Sequence, residues 1–128
     1  MRVLLDTHLL IWIAADRAKA GPVAIDLIRD PAVDAAFSAV SIWEITVKRA
    51  LGRVDFRFAP DEIRDGCLSN DITEVDMTSA HGMAVAALPM LHRDPFDRLL
   101  LAQALVENRL LLTRDRMLVG YDVPVRLV

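Results

Sequence analysis

The sequence predicts an α/β domain, a mostly parallel central sheet of four to five strands sandwiched between helices. Three observations predict it. Short apolar runs such as "AAFS" and "LLLT" alternate along the chain with longer stretches of helical periodicity, which is the pattern of βαβ units. The runs are continuously apolar, as strands covered on both faces are. A chain of 128 residues suffices for one domain with a substantial core, residues 1–128, and not for two.

Each element has its own signal. "RVLLD" (2–6) reads as a buried strand ending at an aspartate, and "THLLIWIAAD" follows at once with helical spacing. Gly21-Pro22 breaks the pattern, and Pro22 suits the first turn of a helix to about Asp30. "AAFS" (35–38) is the second strand. Ser38 or Ser41 caps the helix "SIWEITVKRAL", which Gly52 ends. A short alternating stretch in "RVDFRFAPDE" precedes Pro60 and a helix to about Leu68. "ITEVD" (72–76) is strand three, and "TSAHGMAVAALP" a helix stopped by Pro89. A helix from about Pro95 to Asn108, strand four "LLLT" (110–113), a short helix "RDRMLVG" and an edge strand "PVRLV" complete the chain.

Composition narrows the function. Hydrophobic residues make up 54% and the mean hydropathy is +0.33, yet the longest membrane candidate, "LLIWIAA" (9–15), is far short of the ~18 residues a span needs. Asp6 and His8 interrupt the first apolar stretch, against a secretory signal. The surplus apolar surface points to a subunit or partner interface. A single cysteine, Cys67, rules out an intrachain disulfide and a cysteine zinc cluster, and fits a reducing cytoplasm. The net charge is −3, but 13 of the 15 basic residues are arginine, the side chain suited to bidentate phosphate contacts.

The acids carry the chemistry. Ligands in open α/β sheets bind at the carboxyl ends of the strands. Asp6 ends strand one, Asp115 follows strand four, and Glu44 sits early in the helix after strand two. Asp97 starts the helix preceding strand four, with Asp94 one turn earlier, beside Pro95. Singly, each reads as a helix cap or dipole partner. Together, four acids at one edge repel, and a cation resolves the conflict. Oxygen ligands without a Cys/His cluster select Mg2+ or Mn2+, ions suited to phosphoryl chemistry.

These motifs resemble those of the PIN-domain ribonucleases, especially the VapC-type toxins of toxin–antitoxin pairs. "LLDTHLLIW", "SIWEI", "DPFDRLLLAQA" and "LLTRD" are similar to the family's four motifs in order, over nearly the whole chain. The resemblance implies a Mg2+-dependent endoribonuclease, with Mn2+ as the alternative ion, acting as a homodimer and paired with an antitoxin. Asp6, Glu44 and Asp97 match the three main acidic positions, and Asp115 the fourth. Asp94 belongs to the "DPFD" turn of one subgroup, while Thr7 and Thr113 flank acids and are placed to bond carboxylates, waters or phosphate. The implied reaction is in-line attack of water on an RNA phosphodiester, leaving 5′-phosphate and 3′-hydroxyl ends.

Outside the five motif acids, 13 acidic residues stand against 15 basic ones, a balance of +2. Arg93, Arg98, Arg114 and Arg116 lie in or beside the motifs as candidate phosphate contacts. His8 and His81 read as helix residues and His92 as a loop residue. Trp12 and Trp43 read as core by default, and either one, if exposed, becomes a partner anchor. A receiver domain is disfavoured because Asp6 stands without an acidic neighbour, and an Asp-x-Asp phosphatase because position 8 is His. P-loop and Gly-x-Ser-x-Gly motifs are absent. The rival reading is a PIN-like module that binds RNA or a partner without cutting.

Overall fold

The computed structural model describes residues 1–91 and 93–128, so the reading of His92 as a loop residue lies outside the described residues. Five strands, β1 (Arg2–Leu5), β2 (Asp34–Ser38), β3 (Thr73–Val75), β4 (Leu110–Thr113) and β5 (Val125–Leu127), form one sheet in the order β3-β2-β1-β4-β5. Every neighbouring pair is parallel. The described helices are α1 (Thr7–Ala15), α2 (Arg17–Ala20), α3 (Pro22–Arg29), α4 (Ala39–Ala50), α5 (Pro60–Leu68), α6 (Ser79–Ala84) and α7 (Pro95–Glu107).

Two apolar layers cover the sheet because successive strand residues face opposite ways. Val3, Leu5, Ala35, Phe37 and Leu112 pack beneath α1 and α5 with Leu9, Ile13, Ile63 and Cys67. Leu4, Ala36 and Leu111 face the other way, onto Leu100, Leu101 and Ala104 of α7 and onto Leu118 and Tyr121. The result is an α/β/α sandwich whose three inner strands, β2, β1 and β4, are almost fully buried.

Strand order reverses between β1 and β4: the chain builds outward through β2 and β3, then returns to place β4 on the other side of β1. The crevice at the carboxyl ends of those two strands is where such sheets take ligands. Asp6 and the β4–Asp115 segment both lie there, and the Asp6 amide donates to Leu112 O at 3.0 Å.

Several elements are shorter or tighter than the sequence pattern suggests. The helix expected up to Pro89 ends at Ala84 and continues as a 3-10 turn, Val85–Ala87. Leu88, preceding the proline, is extended, because the Pro89 ring disfavours the helical region there. "RMLVG" forms a 3-10 turn, Arg116–Gly120, and the stretch before Pro60 contains another, Val54–Phe56. A short α2 fills the stretch before the Gly21 break, where the sequence pattern marks no element. Gly21 then turns with φ +86, and a Cβ there would meet Arg114 Nη1 at 3.1 Å. That glycine therefore serves both a left-handed turn and a close approach by a motif arginine.

Candidate metal centre

Asp6 is the N-cap of α1, its Oδ1 accepting from the Leu9 amide at 2.8 Å. Its other oxygen, Oδ2, accepts from the Thr113 hydroxyl. Thr113 Oγ1 in turn accepts from the Asp115 amide at 2.9 Å. One buried threonine thus ties the end of β1 to the loop after β4. Burial pushes the Asp6 carboxyl above its ordinary range, more than the hydrogen bonds from Thr113 and the Leu9 amide lower it. Asp115 is itself an N-cap, accepting from the Met117 amide at 2.9 Å.

Glu44 lies on the inward face of α4, only 1% exposed. Ser38 starts that helix, accepting from the Val40 amide, and the spacing 40, 41, 44, 45, 48 defines the buried face. The Thr7 hydroxyl donates to Glu44 Oε1 at 2.6 Å. It also lies 2.9 Å from Ser41 Oγ, and with one proton to give it accepts from that serine. Lys48, one turn after Glu44, donates to Glu44 Oε2 at 2.6 Å and to Asp94 Oδ2 at 3.0 Å.

Asp94 is the N-cap of α7, its Oδ1 accepting from the amides of Phe96 at 2.9 Å and Asp97 at 3.4 Å. Pro95 occupies the first helical position, where the missing N–H is harmless. For Asp94, burial would raise the carboxyl, but Lys48 and the cap bonds hold it below the usual range. For Lys48, burial would lower the ammonium, but Glu44 and Asp94 outweigh it and hold the pKa up. Asp97, in the first turn of α7, is half-buried, and its carboxylate comes within 4.8 Å of those of Glu44 and Asp94.

All four predicted acids, Asp6, Glu44, Asp97 and Asp115, line one cavity of about 200 Å3, together with Thr7 and Asp94. Asp6 and Asp115 stand outside the tight Glu44–Asp94–Asp97 trio. Two cations missed by sequence reasoning, Lys48 and Arg53, share the lining. Lys48 had a legible signal, a lysine four residues after Glu44 on the same helix face. The candidate ligands are all carboxylates, and among the described residues buried Asp6 forms no ion pair; this chemistry fits a hard divalent ion.

A second cavity, about 510 Å3, shares Asp6, His8 and Asp115 with the first and extends to Trp12, Arg57 and Arg114. The Arg114 guanidinium lies 5.9 Å from the Trp12 ring and donates to the carbonyls of Lys19 and Ala20. His8 pairs with Asp55 at 2.9 Å. Arg93 and Arg116 are exposed. Arg98 is buried, with its guanidinium donating to the carbonyls of Pro89, Val85 and Leu88. His81 is buried in the cap of α6, 3.0 Å from Glu107. Trp43 corrects the default core reading: it is 57% exposed and packs edge-on against Phe96, ring centroids 5.1 Å apart. Position 43 falls between the buried positions of α4, so its indole projects outward.

Fold and site together define a parallel α/β domain with an all-oxygen acidic centre at its switch point. Residues 3–123 match the model of the PIN domain, and the chain belongs to that family. Among solved structures it is similar to VapBC2 from Rickettsia felis bound to a DNA fragment from their promoter, with TM-score 0.75, 15% identity, and coverage of 99% of this chain and 98% of that one. A toxin–antitoxin complex from Klebsiella pneumoniae gives TM-score 0.64, 20% identity and coverage of 97% and 95%. VapBC-1 from nontypeable Haemophilus influenzae gives 0.57, 18%, and 98% and 97%. At such identities the likeness is one of fold. No match was found among curated proteins.

Proposed function

We propose that this PIN domain is a Mg2+-dependent endoribonuclease, able to use Mn2+, and the toxin of a toxin–antitoxin pair. The observation that carries the reading is the meeting of Asp6, Glu44, Asp97 and Asp115, from four separate chain segments, around one cavity at the sheet's switch point. A structural role for each acid alone would not require them to share a cavity, since clustering like charges is costly.

Bound there, a divalent ion would lower the pKa of water and offset charge on phosphate oxygens. The chain's own residues do the rest. Asp6 and Asp97 are assigned as direct ligands, with Glu44 and Asp115 acting directly or through water. Thr113 and Thr7 fix the carboxylate rotamers by their hydrogen bonds to Asp6 and Glu44. The water oxygen attacks phosphorus, the bond to the 3′ oxygen breaks, and the proton released by the water is matched by one taken up at the 3′ oxygen, leaving 3′-hydroxyl and 5′-phosphate ends. The larger cavity beside the acids gives the RNA strand its path, with Arg114, Arg93 and Arg116 assigned to its phosphates. Arg98 is assigned to holding the 85–89 turn, because its donors already serve carbonyls.

The named complexes among the similar structures support an antitoxin partner for this chain. Exposed Trp43, edge-on against half-buried Phe96 beside the site, is an aromatic anchor of the kind that dominates interfaces. A homodimer and a cytoplasmic location belong to the same reading, and among the described residues no helix is long and apolar enough to cross a membrane.

The test is a map of new 5′-phosphate RNA ends after brief expression of wild type and of Asp97→Asn. Discrete ends with wild type alone, reproduced by purified protein with Mg2+ and abolished by chelator, support the reading. Identical maps from two folded, partner-free proteins would leave a module that does not cut.

A further inference from the structure

The tightest carboxylate group is Glu44, Asp94 and Asp97, with ligand oxygens within 4.8 Å of one another. By geometry alone it would take a metal ion. A cation is already there. Lys48 Nζ lies 2.6 Å from Glu44 Oε2 and 3.0 Å from Asp94 Oδ2. The remaining oxygen of each residue is engaged too: Glu44 Oε1 accepts from Thr7, and Asp94 Oδ1 accepts from the Phe96 and Asp97 amides. All four carboxylate oxygens of Glu44 and Asp94 therefore accept bonds from the protein itself; so do both of Asp6, but from neutral donors, whereas Glu44 and Asp94 share an ammonium.

Lys48 is not a surface lysine leaning over the site. The residue is 8% exposed, and Nζ lies 4.9 Å from the Phe56 ring centroid and 5.3 Å from that of Phe96. Ring faces attract an ammonium and replace its lost water. Swinging it out would strand one buried carboxylate and one partly buried one, a heavy penalty. A metal ion on this trio would need the oxygens of Glu44 and Asp94 that the ammonium already bonds, and a second ion of a phosphodiester-cleaving pair stands only about 3.5–4 Å from the first.

We propose that the Lys48 ammonium is a built-in substitute for a second metal ion, so that the centre takes one divalent ion, on the Asp6, Asp97 and Asp115 side. Lys48 is a positioning residue: it sets Glu44 toward the ion through water and clamps the Asp94 cap, and hence the start of α7 that carries Asp97. This rests on the metal-centre reading above and deepens it.

The test counts ions on metal-free full-length protein by titrating Mn2+ and recording electron paramagnetic resonance spectra. Wild type is expected to bind one Mn2+ per chain, with the spectrum of an isolated ion. Lys48→Met, which keeps the stem and removes the charge, is expected to bind two, with the line broadening of a coupled pair, while Lys48→Arg stays at one. Two coupled ions in wild type overturn the proposal and leave the metal reading intact. One ion in a folded Lys48→Met overturns it as well, since the lysine would then not be what excludes the second. If Lys48→Met fails to fold, Lys48→Gln takes its place, and the wild-type count decides regardless. No Mn2+ bound by wild type removes the metal reading together with this one.

Discussion

Thr7 and Glu44 lie 37 positions apart in sequence, and the threonine hydroxyl donates to the glutamate carboxylate at 2.6 Å. The bond joins the first turn of α1 to the buried face of α4, and it fixes the direction of a carboxylate that is buried at the cavity wall. Thr7→Val keeps the shape and removes the donor. Hydrogen bonds to charged groups are worth roughly 1.5–3 kcal/mol, so metal-free Thr7→Val is expected to lose about 2 kcal/mol in urea unfolding, with Thr7→Ser retaining most of it. An unmoved midpoint would mean that Glu44 finds another donor.

Asp6 links stability to activity with opposite signs. Its folded carboxyl is held above the ordinary value of 3.8 by burial. As pH rises past 3.8 the unfolded chain releases this proton first, so the folded state binds more protons and stability from this group is lost with rising pH. Asparagine caps a helix as well as aspartate and carries no charge. Metal-free Asp6→Asn should therefore unfold at higher urea than wild type at pH 7, with the gap closing as pH falls below 3.8. Its RNA cleavage should drop by at least about a hundredfold, as loss of a metal-site group does. A variant less stable than wild type at pH 7 would contradict the burial argument.

Cys67 gives a test of the core that is independent of function. Burial between α1 and α5 pushes its thiol up to about 12 from the ordinary 9.0. Between those values the unfolded chain loses the proton and the folded chain keeps it, so stability falls with pH across the window at up to about 1.4 kcal/mol per unit. Cys67→Ala should flatten that alkaline decline relative to wild type in unfolding curves at pH 8, 9 and 10. The native thiol should resist a disulfide exchange reagent at pH 8 and react fully in urea. Rapid native labelling would place it at the surface.

The strand–helix alternation and the acids were legible because both leave local marks: a continuous apolar run, then a carboxylate where the run stops. Asp6 and Asp115 are such marks, and Glu44 is a charge on an apolar helix face. Lys48 was passed over because its meaning depends on Asp94, 46 residues away, and no local pattern carries a contact of that range. For Trp43 the default core reading gives way to its alternative, exposure, for a different reason. Residue type suggests burial, but phase on α4 decides it, and the buried set 40, 41, 44, 45, 48 leaves 43 outside. Pro89 accounts for the extended Leu88 before it, but not for the earlier change from α-helix to 3-10 turn at Val85.

Two motif arginines with the same sequence credentials should behave as opposites. Arg98 is buried, its guanidinium bonded to three carbonyls of the 85–89 turn. Arg114 is exposed beside the larger cavity, braced by Trp12 and by the Lys19 and Ala20 carbonyls. Each change is made in the Asp97→Asn background, so that RNA is bound without being cut. Arg114→Ala should weaken single-stranded RNA binding and lower the dependence of log K on log salt by about 1, the signature of one lost phosphate contact. Arg98→Ala should leave that salt slope unchanged but cost about 2–3 kcal/mol in unfolding, since removing it strands buried carbonyls. Filter binding at four salt concentrations and urea melts on both variants separate the roles. Equal salt slopes for wild type and Arg114→Ala would remove this arginine from the RNA path.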